Sequence, residues 1–159
     1  MKNARHNRRS AKVMIAIATI VLFESMSLAT SARAIADVPF KGKAKGEIIS
    51  LLPGPGGIAV VAVSEGTATH LGRFTREEDI LLDPNTGSFT GDILFTAANG
   101  DQLVGIVAGA FTSPTDATGT YTFKSGTGRF ENATGSADFV VSMPDGIHFT
   151  VKFAGVLDK

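Results

Sequence analysis

The stretch Ala137–Leu157 reads "ADFVVSMPDGIHFTVKFAGVL", and its spacing decides the fold class. In its second half Ile147, Phe149, Val151, Phe153 and Leu157 fall on one side of an extended chain, while His148, Thr150 and Lys152 fall on the other. Successive side chains of a strand point to opposite faces, so this period of two marks a strand with one face buried and one wet. Ala137, Phe139 and Val141 repeat the pattern ahead of it. Between the two runs stands Asp145-Gly146, a dipeptide suited to a type I′ turn, in which both central residues take positive φ. The stretch therefore predicts a two-stranded antiparallel hairpin. Asp92–Gly109, "DILFTAANGDQLVGIVAG", aligns on Asp138–Gly155 without a gap, with Asn99-Gly100 over Asp145-Gly146, and predicts a second one.

Outward from these hairpins the chain keeps the same character. After Phe40 no apolar stripe holds helical spacing over three turns, whereas β-branched residues, threonine and glycine are abundant, which defines an all-β chain. Strands are expected at 40–52, 58–64, 67–75, 79–82, 88–97, 102–111, 118–124, 136–142 and 147–157, eight or nine in all. Turn chemistry separates them, with "PGPGG" at Pro53–Gly57, "DPNTG" at Asp83–Gly87 and "SPTD" at Ser113–Asp116. Many short antiparallel strands hide their edges most simply by closing, so the expected fold is a single closed antiparallel β-barrel of about eight strands over residues 37–159. Lys41, Lys43, Lys45 and Lys152 on outward faces, and the lack of tryptophan, argue for a soluble barrel over an outer-membrane one. Ile58–Val63 and Leu103–Ala110 are apolar on both faces, which leaves room for a covering loop or for a second subunit in a homo-oligomer.

Residues 1–36 are a different kind of sequence. Lys2, Arg5, Arg8, Arg9 and Lys12 precede the eleven-residue apolar run Val13–Phe23, and small residues follow up to "SARAIAD". This is the order of a cleavable signal peptide, too short in its apolar part for the roughly 20 residues a membrane helix needs. The expectation is cleavage after Ala34 or Ala36 and a periplasmic or secreted product with no membrane association thereafter. The whole chain balances fifteen basic against fifteen acidic residues, but 1–36 holds six of the former and only Glu24 of the latter. Residues 37–159 are thus net acidic, which argues against nucleic acid as a partner. With no cysteine in the chain, packing alone must stabilise the fold, and thiolate metal sites are excluded.

Gly119–Leu157 resembles the C-terminal part of the allene oxide cyclase and dirigent protein barrels, in which a strand, a "GGTGxFxxAxG" turn and a final hairpin follow in order. The matching residues are Gly126, Thr127, Gly128, Phe130, Ala133 and Gly135. Small bacterial barrel proteins with a late "DGxH" are similar too, matched by Asp145, Gly146 and His148. The resemblance implies a barrel, with Phe130 and Ala133 plugging its end. It also implies an enzyme that steers a reactive intermediate by cavity shape, although no cavity residue of those families carries over outside the turn. The turn is not a phosphate cradle, because Glu131 occupies the third glycine position of a G-x-G-x-x-G and no helix follows.

Few residues invite chemistry. No Gly-x-Ser-x-Gly elbow occurs, and "DPNTG" lacks the later ligands of a calcium loop, so it reads as a turn. His70 and His148 stand in unrelated strands, and no metal or cofactor is expected. Glu77, Glu78 and Asp79 read as a solvated acidic loop. Inward aromatics collect instead, and a cavity is expected among Phe95, Tyr121, Phe149 and Phe153, opening near His70–Phe74, with His70, Arg73 or Tyr121 offering a polar contact. Inward Gly91, Gly105, Gly109 and Gly155 are expected to leave it room. The leading functional expectation is an exported barrel binding a small apolar molecule. A cyclase-like or dirigent-like enzyme and a solid structural envelope barrel are the alternatives.

Overall fold

A computed structural model describes residues 37–159; the expected signal peptide lies outside the described residues. Eight strands follow in order: β1 Asp37–Gly54, β2 Gly57–Ala68, β3 Gly72–Leu82, β4 Ser88–Ala97, β5 Gln102–Phe111, β6 Asp116–Gly126, β7 Thr134–Ser142 and β8 His148–Asp158. Each pairs antiparallel with its neighbours in the chain, and β8 returns to β1 from Asp37↔Asp158 to Glu47↔His148, so the sheet is a closed barrel. Closure satisfies the backbone N–H and C=O groups of every strand and leaves no edge to template aggregation. Among the described residues no helix is long and apolar enough to cross a membrane.

The alternation read in the sequence sets which face is which. In β8, Phe149, Val151, Phe153 and Leu157 are buried while His148, Thr150 and Lys152 are exposed. Phe40, Phe74, Phe95, Phe123 and Phe153 fill the half of the interior nearest the chain ends, with Phe40 5.1 Å from Phe123 edge-on and 5.3 Å from Phe153 stacked. Burying each of these rings stabilises the fold by about 1.5–3 kcal/mol. The end of the barrel carrying the β2–β3, β4–β5 and β6–β7 turns is closed by Leu71, Leu103, Phe130, Ala133 and Leu157. Phe130 belongs to a single 3-10 turn, Gly128–Phe130, and the expected plug is there. Gly128 starts it at φ +57, a left-handed conformation in which a Cβ would run into the Asp101 carboxylate. The opposite end, with the β1–β2, β3–β4, β5–β6 and β7–β8 turns, is the mouth.

Two expectations need correction. The segment 67–75 is not one strand, because Thr69–Leu71 form the turn between β2 and β3, with His70 at φ +65. Neither hairpin has a two-residue type I′ turn: Ala98–Asp101 and Met143–Ile147 are longer loops in which only Gly100 and Gly146 take positive φ. Side chains explain the longer loops, since Asp145 Oδ1 accepts from the backbone N–H of both Ile147 and His148, at 2.9 and 2.7 Å.

Candidate functional site

The interior changes character halfway along β3. Its inward residues are Phe74, Arg76, Glu78 and Ile80, so two charged side chains occupy positions that alternation assigns to the core. Glu78 is buried in a strand, which corrects the reading of 77–79 as a solvated loop; Glu77 and Asp79, both exposed, take the outward positions. Opposite charges two residues apart on one face of a strand meet readily. Arg76 Nη2 lies 3.4 Å from Glu78 Oε2, with the two side chains 1% and 8% exposed. Arg76 Nη1 donates to Tyr121 Oη at 2.7 Å, which ties β3 to β6 across the barrel. The guanidinium carbon also sits 5.7 Å from the Tyr121 ring centre and 5.6 Å from that of Phe149. Aromatic faces on two sides and hydrogen bonds in its plane are what a buried guanidinium needs.

Burial pushes the Tyr121 phenol well above its ordinary range; Arg76 draws it down and Glu78 raises it again. It is therefore a neutral hydroxyl at any physiological pH. Two polar atoms of this neighbourhood have no hydrogen-bond partner among the described residues, Arg76 Nε and the Oγ of Ser64. Ser64 faces Arg76 in the β2–β3 register. A buried N–H without an acceptor costs about 1–3 kcal/mol, so each of these atoms marks a place where a partner would be favourable.

Beyond this pair, toward the mouth, lies a cavity of about 100 Å³. Among the described residues Arg76 and Glu78 are the only charged ones lining it; Val60, Ala62, Val107, Phe139 and Phe149 make apolar walls, and Leu51, Phe111 and Met143 line it nearer the mouth. A second concavity of about 700 Å³ is on the outer wall, bordered by Lys43, Lys45, Arg73 and Lys152. It is broad and open to solvent, whereas the interior one combines apolar walls with a buried donor lacking a partner.

The residues singled out in the sequence are dispersed over these places. Phe149 lines the cavity, and Tyr121 holds the arginine at its inner end. Phe95 and Phe153 lie deeper, 5.8 Å apart and each 5.9 Å from the Tyr121 ring, so the space expected among these rings is occupied by the rings themselves. Arg73 faces outward beside the external concavity, and His70 is exposed in its turn at the closed end. The cavity therefore opens at the end opposite to the one expected, because Leu71, Phe130 and Leu157 stop the His70 end. The inward glycines leave no room for a ligand either. A Cβ on Gly105 would meet the Thr122 carbonyl, on Gly109 the Thr118 carbonyl and Phe89 ring, on Gly91 the backbone of Asp79, and on Gly155 that of Ser136 and Ala137. These glycines let neighbouring strands coil tightly. Arg129 is also accounted for structurally: its Nε is 3.4 Å from Asp101 and its Nη2 3.4 Å from the Leu71 carbonyl, which links three turns at the closed end.

Arg76 and Glu78 were missed because a charged run suggests solvent. The signal was present as strict alternation from Phe74 to Ile80, with opposite charges at the two interrupting positions. Fold and site together define a small closed antiparallel barrel with an aromatic-filled half and a half that encloses an apolar cavity over a buried ion pair. Comparison with protein-family models and with curated proteins finds no match.

Proposed function

We propose that this protein is an exported binding barrel that takes a small apolar molecule through its mouth into the cavity above Arg76 and Glu78. The observation that carries this reading is the cavity itself: apolar walls converging on a buried guanidinium that still has a hydrogen to donate. Small-molecule sites combine these two features, apolar area for affinity and a few polar groups for orientation. The run of charged, apolar and small residues in 1–36 supports a periplasmic or secreted location. The resemblance of Gly119–Leu157 to allene oxide cyclase and dirigent barrels supports an interior site as well, and with it the alternative that the bound molecule is converted there.

The test is a titration of the folded protein with an environment-sensitive dye held at the mouth by a short alkyl tail slim enough to enter the cavity. Saturable one-to-one binding is expected, lost in Ala62→Leu, whose added carbons enter the cavity, and unchanged in Lys152→Glu on the outer wall. Dye binding that survives cavity filling, or follows the outer-wall change, would refute the interior site. Circular dichroism of each variant checks that the barrel persists.

A further inference from the structure

We infer that the cavity selects an uncharged molecule bearing one hydrogen-bond-accepting oxygen, a ketone, ester or alcohol on a short apolar body, and that Glu78 is the residue that excludes carboxylates. This rests on the interior-site reading proposed above. An arginine at the inner end of an apolar cavity suggests at first a fatty-acid site, since guanidinium and carboxylate pair in a fork. Here the fork is already engaged. One arm reaches Tyr121 Oη at 2.7 Å and the other reaches Glu78 at 3.4 Å, leaving the Nε–H without a partner. The guanidinium keeps further N–H groups, but a carboxylate could be clasped by both arms only by displacing Tyr121 or Glu78, whereas one acceptor oxygen needs a single N–H.

Charge balance points the same way. Among the described residues Arg76 and Glu78 are the only charged ones on the cavity lining, and their charges cancel before any ligand arrives. A carboxylate entering would place two negative groups around one guanidinium in a site walled by Val60, Ala62, Val107 and Phe139. Burying an ion without its own counter-charge is among the costliest changes in a protein interior. An ammonium meets the same difficulty, because Arg76 repels it. A neutral carbonyl or hydroxyl loses less hydration than an ion and needs only one guanidinium N–H that neither Tyr121 nor Glu78 takes. Size adds a bound: a volume of about 100 Å³ is smaller than the roughly 150 Å³ that holds benzene in an engineered protein cavity. The ligand is then a molecule of a few heavy atoms, or the polar end of a longer one whose tail passes Leu51, Phe111 and Met143 to the mouth.

The experiment titrates the folded protein at neutral pH with 2-hexanone, hexanoate and hexylamine, using calorimetry or chemical-shift changes of the cavity residues. The ketone should bind at least about tenfold more tightly than either ion, equivalent to about 1.4 kcal/mol. In Glu78→Gln the cavity becomes net positive, so hexanoate should gain about tenfold or more while the ketone changes by less than about threefold. In Arg76→Met the preference for the ketone over plain hexane should vanish. Hexanoate binding the unaltered protein as tightly as the ketone overturns the inference, as does a Glu78→Gln ratio equal to that of the unaltered protein. The first comparison needs no variant, so a Glu78→Gln protein that fails to fold still leaves the test decisive. If none of the three probes nor the apolar dye binds, it is the interior site itself that fails.

Discussion

Replacing Arg76 by methionine keeps much of the apolar stem and removes the charge, which isolates what the guanidinium does at the centre of the barrel. Two consequences follow from the contacts. Glu78, 8% exposed in its side chain, loses its counter-charge at 3.4 Å, and the buried Tyr121 hydroxyl loses its donor at 2.7 Å. Removing one partner of a buried pair costs about 3–5 kcal/mol, and because Glu78 borders a cavity that water can enter, about 3 kcal/mol is expected. That is a large share of the roughly 5–15 kcal/mol of a typical domain. It corresponds to a fall of about 10 °C in melting temperature for a domain of this size. The double variant Arg76→Met with Glu78→Met has no stranded charge and should recover to within about 1–2 kcal/mol of the parent, since apolar replacement of a whole buried pair is often neutral. Urea denaturation followed by circular dichroism measures all three proteins, with an unchanged m-value confirming the comparison. The reasoning is refuted if the single variant loses less than about 1 kcal/mol, or if the double variant is no more stable than additivity of the singles allows.

The turn at the closed end gives a second test: Gly128→Val forces a β-branched residue into φ +57 and pushes on Asp101, so a loss of about 2–4 kcal/mol is expected in the thermal melt with or without ligand. Gly105→Phe should abolish folding rather than fill a cavity, because its ring would have to pass through the Thr122 carbonyl; a soluble, cooperatively melting variant would contradict that. His70 and His148 should titrate in opposite directions by NMR. His148, bonded to Asp145 at 2.7 Å, is raised above its ordinary 6.5, and His70 is lowered by partial desolvation and then by Lys159. Asp145 is pulled down to about 2 by the backbone N–H of Ile147 and by His148. The His148 contribution is therefore present below 6.5 and lost as pH rises through its raised value, and that of Asp145 is present above 3.8 and lost as pH falls through about 2. Asp145→Asn should return His148 toward 6.5, and an unmoved His148 titration would dismiss the pairing.

Alternation is a local property, and it was enough to make the barrel legible. The inward faces of β4, β6, β7 and β8 could be named from period two alone, while the plug of Phe130 and Ala133 came from the resemblance of a turn marked by glycines at 126, 128 and 135. Turn lengths were not legible. They depend on side chains such as Asp145 reaching backbone N–H groups two and three residues on, and on His70 taking a left-handed conformation uncommon outside glycine. The site was decided by tertiary structure. Whether an inward glycine opens a cavity or lets strands press together depends on the neighbouring strand's register, as Gly105 against Thr122 demonstrates. Which end of the barrel is sealed depends on Leu71, Leu103, Phe130 and Leu157 meeting from four separate parts of the chain. Arg76 and Glu78 look like surface charges in sequence. Only closure of the sheet brings Tyr121 and Phe149 around them, because a buried charge is tolerated when its partners come from across the barrel, and those partners are distant in the chain.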